Sequence, residues 1–122
     1  MGQSYQELIA WQKAMVLVTD IYRATRTLPK EETYGLTSQI RRAAVSVPSN
    51  IAEGQARQSQ KEFRQFLSHA RGSLVEVETQ FLIARNLGFL NELASKALLD
   101  SVAGLGRILN GLIASIRLRT EN

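Results

Sequence analysis

Apolar residues recur at intervals of three and four along almost the whole chain, which is the period of an α-helix with one buried face. The pattern forms four segments, roughly at residues 4–28, 32–56, 59–87 and 91–119, separated by short polar stretches. The period-two alternation that is typical of β-strands is nearly absent. Helices joined by short loops run antiparallel to their neighbours, so the sequence predicts an all-α, antiparallel up-down-up-down four-helix bundle.

Residues with strong preferences for helix termini mark the ends of the segments. Ser4 and Ser59 each precede a glutamate by three residues, which is the capping-box pattern of a helix start. Pro29 ends the first segment, and Gly88 has the position of a glycine C-cap after the third. Asn91 is a favourable N-cap for the fourth segment.

Length and composition are those of one folded domain, so we treat residues 1–122 as a single bundle. Cysteine is absent, which excludes disulfides and thiolate metal sites and suits the reducing cytoplasm, where we expect the protein to act. No signal-peptide pattern is visible, and no apolar stretch approaches the roughly 20 residues of a membrane span, so we expect no membrane partner. Fifteen Lys and Arg face eleven Asp and Glu, and the net charge of +4 is compatible with an anionic partner.

Side chains that carry catalysis or hold cofactors form no recognisable pattern. His69 is the only histidine and lacks the Glu-x-x-His spacing of a di-iron bundle. Gly104 and Gly106 lie within a helical pattern with no preceding strand, unlike a dinucleotide-binding loop. We therefore expect no enzymatic activity, no cofactor and no metal site.

The third segment has a basic shoulder and an acidic shoulder when its residues are placed at about 100° intervals. The basic line lies opposite the core stripe and consists of Arg57 (if the helix extends back to it), Lys61, Arg64 and Arg71. The acidic shoulder carries Glu62 and Glu76. Three interpretations are open: an ordinary solvated surface, a stripe that binds nucleic-acid phosphates, or a contact in which the basic shoulder of one subunit meets the acidic shoulder of the next.

A polar seam runs beside the apolar stripe of the second segment. It consists of Gln39, Arg42, Ser46, Asn50 and Glu53. The favoured interpretation is a structural hydrogen-bond network that also satisfies the carbonyl left without a donor by Pro48, where we expect a kink rather than a break. The alternative makes Arg41, Arg42 and Arg57 contacts to an anion, since a guanidinium can donate two parallel bonds to phosphate.

Small residues follow one line of the fourth segment, including Gly104 and Gly111. Glycine costs about 1 kcal/mol relative to alanine inside a helix, so the line predicts close approach of a helix from the same or another subunit. Apolar residues outside the predicted stripes indicate a further buried surface between subunits. They include Leu17, Val45, Val75, Leu82 and Leu99.

Longer motifs extend from about residue 11 to residue 88. They are Trp11-x-x-Ala14, Tyr34-Gly35-Leu36-x-x-Gln39-x-Arg41-Arg42-Ala43, Ser46-x-x-x-Asn50-Ile51-Ala52-Glu53-Gly54, Arg57, Glu62-Phe63-x-x-Phe66-Leu67, Ala70-x-Gly72-Ser73 and Leu87-Gly88. In these motifs the chain resembles the bacterial four-helix-bundle family of 23S rRNA intervening-sequence proteins. The fourth segment matches only as a generic amphipathic helix.

The resemblance implies a single-domain bundle that assembles into a homopentameric ring. It also implies a link to RNA, because family members are often encoded inside insertions within 23S rRNA genes. Relatives that act as accessory proteins in diversity-generating retroelements look like basic pentamers that bind nucleic acid and a reverse transcriptase. No catalytic residue is implied by the resemblance.

Residues and resemblance together predict a homo-oligomer, a pentamer by the resemblance, that binds RNA or another nucleic acid with low sequence specificity. The expected phosphate contacts are Arg41, Arg42, Arg57, Lys61, Arg64 and Arg71. The expected oligomer contacts are Glu62, Glu76, Leu82, Gly104 and Gly111. No aromatic side chain is predicted to be exposed for base stacking. The alternative is a scaffold, or a retroelement accessory ring, whose basic stripe closes the oligomer or docks a protein partner.

Overall fold

Four α-helices form the computed structural model, which describes residues 4–121 and the side chains of residues 4–119. They are α1 (Ile9–Ala24), α2 (Leu36–Gln55), α3 (Gln60–Asn86) and α4 (Glu92–Glu121). Short 3₁₀ turns at Tyr5–Glu7, Thr25–Thr27 and Lys30–Glu32 complete the elements, and no strand occurs in residues 4–121. Each helix packs against its two neighbours in chain order, and α4 closes the ring by packing against α1. The predicted all-α four-helix bundle is confirmed.

The first two helices begin later than their apolar patterns predict. Ser4 Oγ accepts a bond from the N–H of Gln6 at 3.2 Å, so it caps the 3₁₀ turn and not α1. Leu8 is extended, and α1 starts after it. Before α2, the Glu32 carboxylate accepts a bond from the N–H of Leu36 at 3.1 Å and caps that helix from four residues away.

The caps of the other two helices lie where the sequence predicts them. Ser59 and Asn91 accept bonds from the backbone N–H three residues later, at 3.1 and 2.7 Å. Gly88 has φ +78°, a conformation that glycine adopts without steric cost. The N–H of Phe89 then donates to the carbonyl of Ala84 at 3.0 Å, which completes a Schellman ending for α3.

The buried face of α1 differs from the predicted stripe by about 100° of helix rotation. Its core residues are Ala10, Ala14, Leu17 and Ile21. The helical period of the sequence predicts a buried stripe of Leu8, Trp11, Met15, Val18, Tyr22 and Thr25. Met15 and Tyr22 are instead exposed, and Leu17, assigned to a subunit contact, is 3% exposed. Because α1 is apolar around most of its circumference, two stripes compete in the sequence. The alanine-containing stripe faces the core in the folded bundle.

Helix α2 and helix α3 form the most extensive helix pair. Helix α2 is continuous through Pro48. A Cβ placed on Gly54 would lie 2.7 Å from Phe66 Cβ and 3.0 Å from Phe63 Cδ1. Glycine at this position therefore permits the observed separation of the two helices.

Helix α4 is more apolar than the sequence analysis indicated. Over Glu92–Arg119 it is long and apolar enough to cross a membrane, with an 18-residue window of mean hydropathy 1.3, of which 28% is buried. The prediction that no apolar stretch approaches this length is therefore wrong. A core helix of a bundle passes the same test, and the inner face of α4 packs Val102, Leu109 and Ile116 into the core.

Candidate nucleic-acid interface

Arg41 connects α2 to the end of α1. Its Nε donates to Thr25 Oγ1 at 2.9 Å, and its Nη2 donates to the carbonyl of Tyr22 at 3.2 Å. The guanidinium carbon lies 4.6 Å from the centre of the Tyr22 ring. Thr25 is buried and donates its own hydroxyl to the carbonyl of Ile21 at 2.7 Å. Two N–H donors and one face of the Arg41 guanidinium therefore make contacts within the bundle.

Replacing Thr25 with valine is expected to lower the free energy of unfolding by about 1–3 kcal/mol, because a donor of Arg41 loses its acceptor. Chemical unfolding followed by circular dichroism measures the change. Thr19→Val is the matched control, since Thr19 is exposed and its hydroxyl bonds only to the carbonyl of Met15 in its own helix. Equal changes for the two variants would show that the bond to Arg41 contributes nothing to stability.

Ser46 and Asn50 of the polar seam bond to each other and to α3. The hydroxyls of Ser46 and Ser73 lie 2.8 Å apart, which links α2 to α3. Asn50 Nδ2 donates to the carbonyl and to the hydroxyl of Ser46, at 2.8 and 2.9 Å. Gln39 and Glu53 are exposed and lie outside this network, and none of its bonds reaches the carbonyl opposite Pro48. Arg42 is exposed one turn before Ser46, on the α2 side of the bundle.

Arg57 lies outside the helical register that would align it with the basic line. Helix α3 begins at Gln60, and the Arg57 guanidinium carbon lies 4.7 Å from the centre of the Phe66 ring. Phe66 packs toward Gly54 of α2 and lies 6.0 Å, centre to centre, from the ring of His69. Arg57 is therefore on the α2 flank of α3, beside the acidic shoulder.

Lys61, Arg64 and Arg71 form the basic row of α3, which covers about 15 Å along the helix axis. Arg71 Nε donates to Asn110 Oδ1 of α4 at 2.8 Å, so the row lies on the α4 flank. Lys61 is exposed, and Arg64 is half-buried. Among the side chains that the structure describes, none of the three forms an ion pair with a carboxylate.

Helix α4 adds two cations that the sequence analysis missed. Arg107 lies about one turn before Asn110 and Arg117 about two turns after it, and both are exposed. The spacing is present in the sequence, but only the Arg71–Asn110 bond shows that this side of α4 borders the basic row. A Cβ on Gly104 would lie 3.8 Å from Arg107 Nη2, so the Arg107 guanidinium is near the groove between α1 and α4 that Gly104 lines. We call Lys61, Arg64, Arg71 and Arg117 the basic face.

Charge is distributed unevenly along the bundle axis. The bundle can be divided into two halves at the midpoint of each helix. One half contains residues 4–16, 46–73 and 107–121, and the other contains residues 17–45 and 74–106. The first half holds eight Lys and Arg against four Asp and Glu, and the second holds seven against seven. The first group is Lys13, Arg57, Lys61, Arg64, Arg71, Arg107, Arg117 and Arg119 against Glu7, Glu53, Glu62 and Glu121. The whole surplus of +4 therefore belongs to this basic half, and the other is the neutral half.

The expected oligomer contacts lie on several surfaces. Glu62 and Glu76 are exposed on α3, and Leu82 is half-buried. Gly104 lines a groove of about 430 Å³ between α1 and α4. A Cβ on Gly111 would meet no atom within 4 Å outside its own stretch of helix, so no helix of the same chain approaches it closely.

Two findings bear on other kinds of site. No group of three or more His, Cys, Asp or Glu among the described residues could hold a metal ion. Tyr34 is 96% exposed, which shows that the prediction of no exposed aromatic side chain is wrong. Tyr34 lies in the neutral half, away from the basic face.

Comparison with known proteins identifies the family. The family model described as 23S rRNA-intervening sequence protein matches residues 6–111. In fold, the chain is similar to the crystal structure of a protein with unknown function from the S23 ribosomal protein family of Bacteroides thetaiotaomicron VPI-5482. The TM-score is 0.78 at 18% sequence identity, covering 86% of this chain and 98% of that chain. A search of curated proteins finds no match. The chain belongs to the 23S rRNA-intervening sequence protein family.

Proposed function

We propose that the protein is a non-enzymatic, self-associating bundle that binds RNA through the phosphate backbone, with low sequence specificity. The observation that carries the proposal is the confinement of the whole charge surplus to one half of the bundle. Cations concentrated on one face release condensed counterions when they meet nucleic acid, whereas the same charge spread evenly attracts a polyanion weakly. The family description adds a connection to rRNA.

The aromatic rings that the structure describes in the basic half contact neighbouring side chains or are buried, although Tyr5 is 37% exposed. Tyr5 and Trp11 pack edge to face with their ring centres 5.3 Å apart. Phe63 is buried, and Arg57 covers the Phe66 ring. Binding through this half therefore rests on phosphate contacts, which position a nucleic acid without carrying sequence information.

Binding to RNA across a salt series tests the proposal. Fragments of 23S rRNA and random-sequence RNA of equal length are titrated with the protein between about 50 and 300 mM salt, with fluorescence anisotropy as the readout. We expect similar affinities for both RNAs and a logarithmic salt slope of about −3 to −4 for four or five phosphate contacts. No binding at about 50 mM salt, or an affinity indifferent to salt, would contradict the proposal.

Self-association is the second part of the proposed function, and we take the oligomer to be a pentamer of the 13.6 kDa chain. Exposed apolar side chains such as Ile9, Val16 and Leu93 support a buried contact between copies. The same observation favours the rival function, a scaffold that docks a protein partner. Light scattering on the purified protein gives the mass, and a monomer at every concentration would contradict self-association.

A further inference from the structure

Tyr34 is presented to solvent by a hydrogen-bonded turn and not by a loose loop. The N–H of Gly35 donates to the carbonyl of Glu32 at 3.0 Å, and the Glu32 carboxylate accepts from the N–H of Leu36 at 3.1 Å. The Thr33 hydroxyl donates to the carbonyl of Lys30 at 2.7 Å. The backbone that carries Tyr34 is therefore fixed, and ordering this 96% exposed tyrosine on binding restricts only its two side-chain torsions, which suits it as an interface anchor.

A cleft of about 500 Å³ lies on the outer side of α3 and α4 in the neutral half. Leu93, which is 83% exposed, and Leu99 are its apolar lining. Its charged lining residues are Arg85, Lys96, Glu92 and Asp100. Exposed apolar side chains among charges of both signs are suited to a protein contact.

Tyr34 and this cleft lie at the same end of the bundle but at opposite corners. The Thr27 hydroxyl donates to the carbonyl of Phe89 at 3.3 Å, which joins the α1–α2 connection to the α3–α4 loop. Tyr34 precedes α2, and α2 is diagonal to α4 in the ring of helices. Tyr34 and the cleft of its own chain therefore lie at opposite corners of the same end of the bundle.

We propose that Tyr34 of one copy inserts into the Leu93–Leu99 cleft of the next copy. Tyr34 and the cleft are two different surfaces at the same level along the bundle axis. A contact between them is head-to-tail and can close into a ring. Two exposed charges beside Tyr34 have opposite charges in the cleft lining: Glu31 can face Arg85 and Lys96, and Lys30 can face Glu92 and Asp100. The inference rests on the proposed self-association and assigns its contact.

A nucleobase is the competing occupant of the Tyr34 ring. Glu31 and Glu32 precede Tyr34, and the half of the bundle that holds it has no surplus of positive charge. Phosphates beside a stacked base would therefore meet two carboxylates and a single neighbouring cation, Lys30. This environment favours a protein surface over RNA.

Disulfide trapping tests the contact directly, because the chain contains no cysteine. The variant Glu31→Cys/Lys96→Cys keeps both Tyr34 and Leu93 and replaces two exposed residues beside them. It is expected to form a ladder of covalent oligomers under mild oxidation, whereas each single variant gives nothing larger than a dimer. Glu31→Cys/Leu118→Cys is the matched control, since Leu118 is also exposed but lies near the other end of the bundle. The control is expected to give no ladder.

The outcomes separate this inference from the proposed function. Equal ladders from both pairs, or none from either while light scattering still shows an oligomer, would overturn the Tyr34 contact and leave self-association standing. A monomeric wild-type protein would overturn both. Tyr34→Ala is expected to weaken association at least tenfold and Tyr34→Phe to retain it. If Tyr34→Ala weakens RNA binding while the mass is unchanged, the ring stacks on a base and the inference is wrong.

Discussion

Gly54→Ala is expected to lower the free energy of unfolding by about 1–3 kcal/mol, although alanine is the better helix former. The new methyl group would lie 2.7 Å from Phe66 Cβ, which is attached directly to the α3 backbone, and 3.0 Å from the Phe63 ring. Neither neighbour is the end of a flexible side chain, so α2 and α3 must move apart. We expect thermal melting followed by circular dichroism to show a decrease of roughly 5–10 °C.

Gly111→Ala is the control for Gly54→Ala. Gly111 lies within α4, is exposed and has room for a Cβ, so alanine there is expected to stabilise the protein by about 0.5–1 kcal/mol. The two substitutions are chemically identical and are predicted to have opposite signs. Stabilisation by Gly54→Ala would show that the close approach of α2 and α3 does not occur in solution.

Lys61→Glu/Arg64→Glu is expected to reduce RNA affinity by about 100-fold or more near 100 mM salt, because two phosphate contacts become repulsive. The logarithmic salt slope is expected to become less negative by about two, because two phosphate contacts are lost. Arg23→Glu/Arg26→Glu is the matched control: it has the same spacing and the same change of net charge, from +4 to zero, but lies in the neutral half. Its affinity for RNA is expected to stay within about threefold of the wild type, because its charges lie outside the basic face.

Equal loss of affinity in the two charge-reversal variants would show that net charge, and not the basic face, governs binding. Light scattering on the same samples tests the rival scaffold function. If Lys61→Glu/Arg64→Glu breaks the oligomer, the basic row closes a subunit contact. The proposed function predicts an intact oligomer with lost RNA binding.

Helix boundaries show how far local sequence signals reach. The α3 start at Ser59, its end at Gly88 and the α4 start at Asn91 are all predicted, because caps depend on a few residues close in sequence. The starts of α1 and α2 are not predicted. There the chain forms 3₁₀ turns before each helix. Ser4 and Glu32 accept backbone N–H bonds at these places, as they could also do at the start of an α-helix, so the sequence does not separate the two cases.

The candidate site depends more strongly on tertiary packing. Helical periodicity groups Lys61, Arg64 and Arg71 in one row and predicts that the row lies opposite the core. In the structure the row lies on the α4 flank, and Arg64 and Arg71 are half-buried. Arg41 cannot be distinguished from a free cation in the sequence, since its partners lie 16 and 19 residues away at the end of α1. Helical periodicity also aligns Arg57 with the row, but α3 begins only at Gln60, three residues later.

The sequence by itself determined the number of helices, their order and the antiparallel bundle, because period, caps and loop lengths are local properties. Only the tertiary structure decided which of two apolar stripes of α1 is buried and that Arg41 bonds within the bundle. It also decided that the positive surplus collects in one half of the bundle, since residues 4–16, 46–73 and 107–121 meet only after folding. Such facts depend on contacts between residues that are distant in the chain, and a helical period contains no information about them.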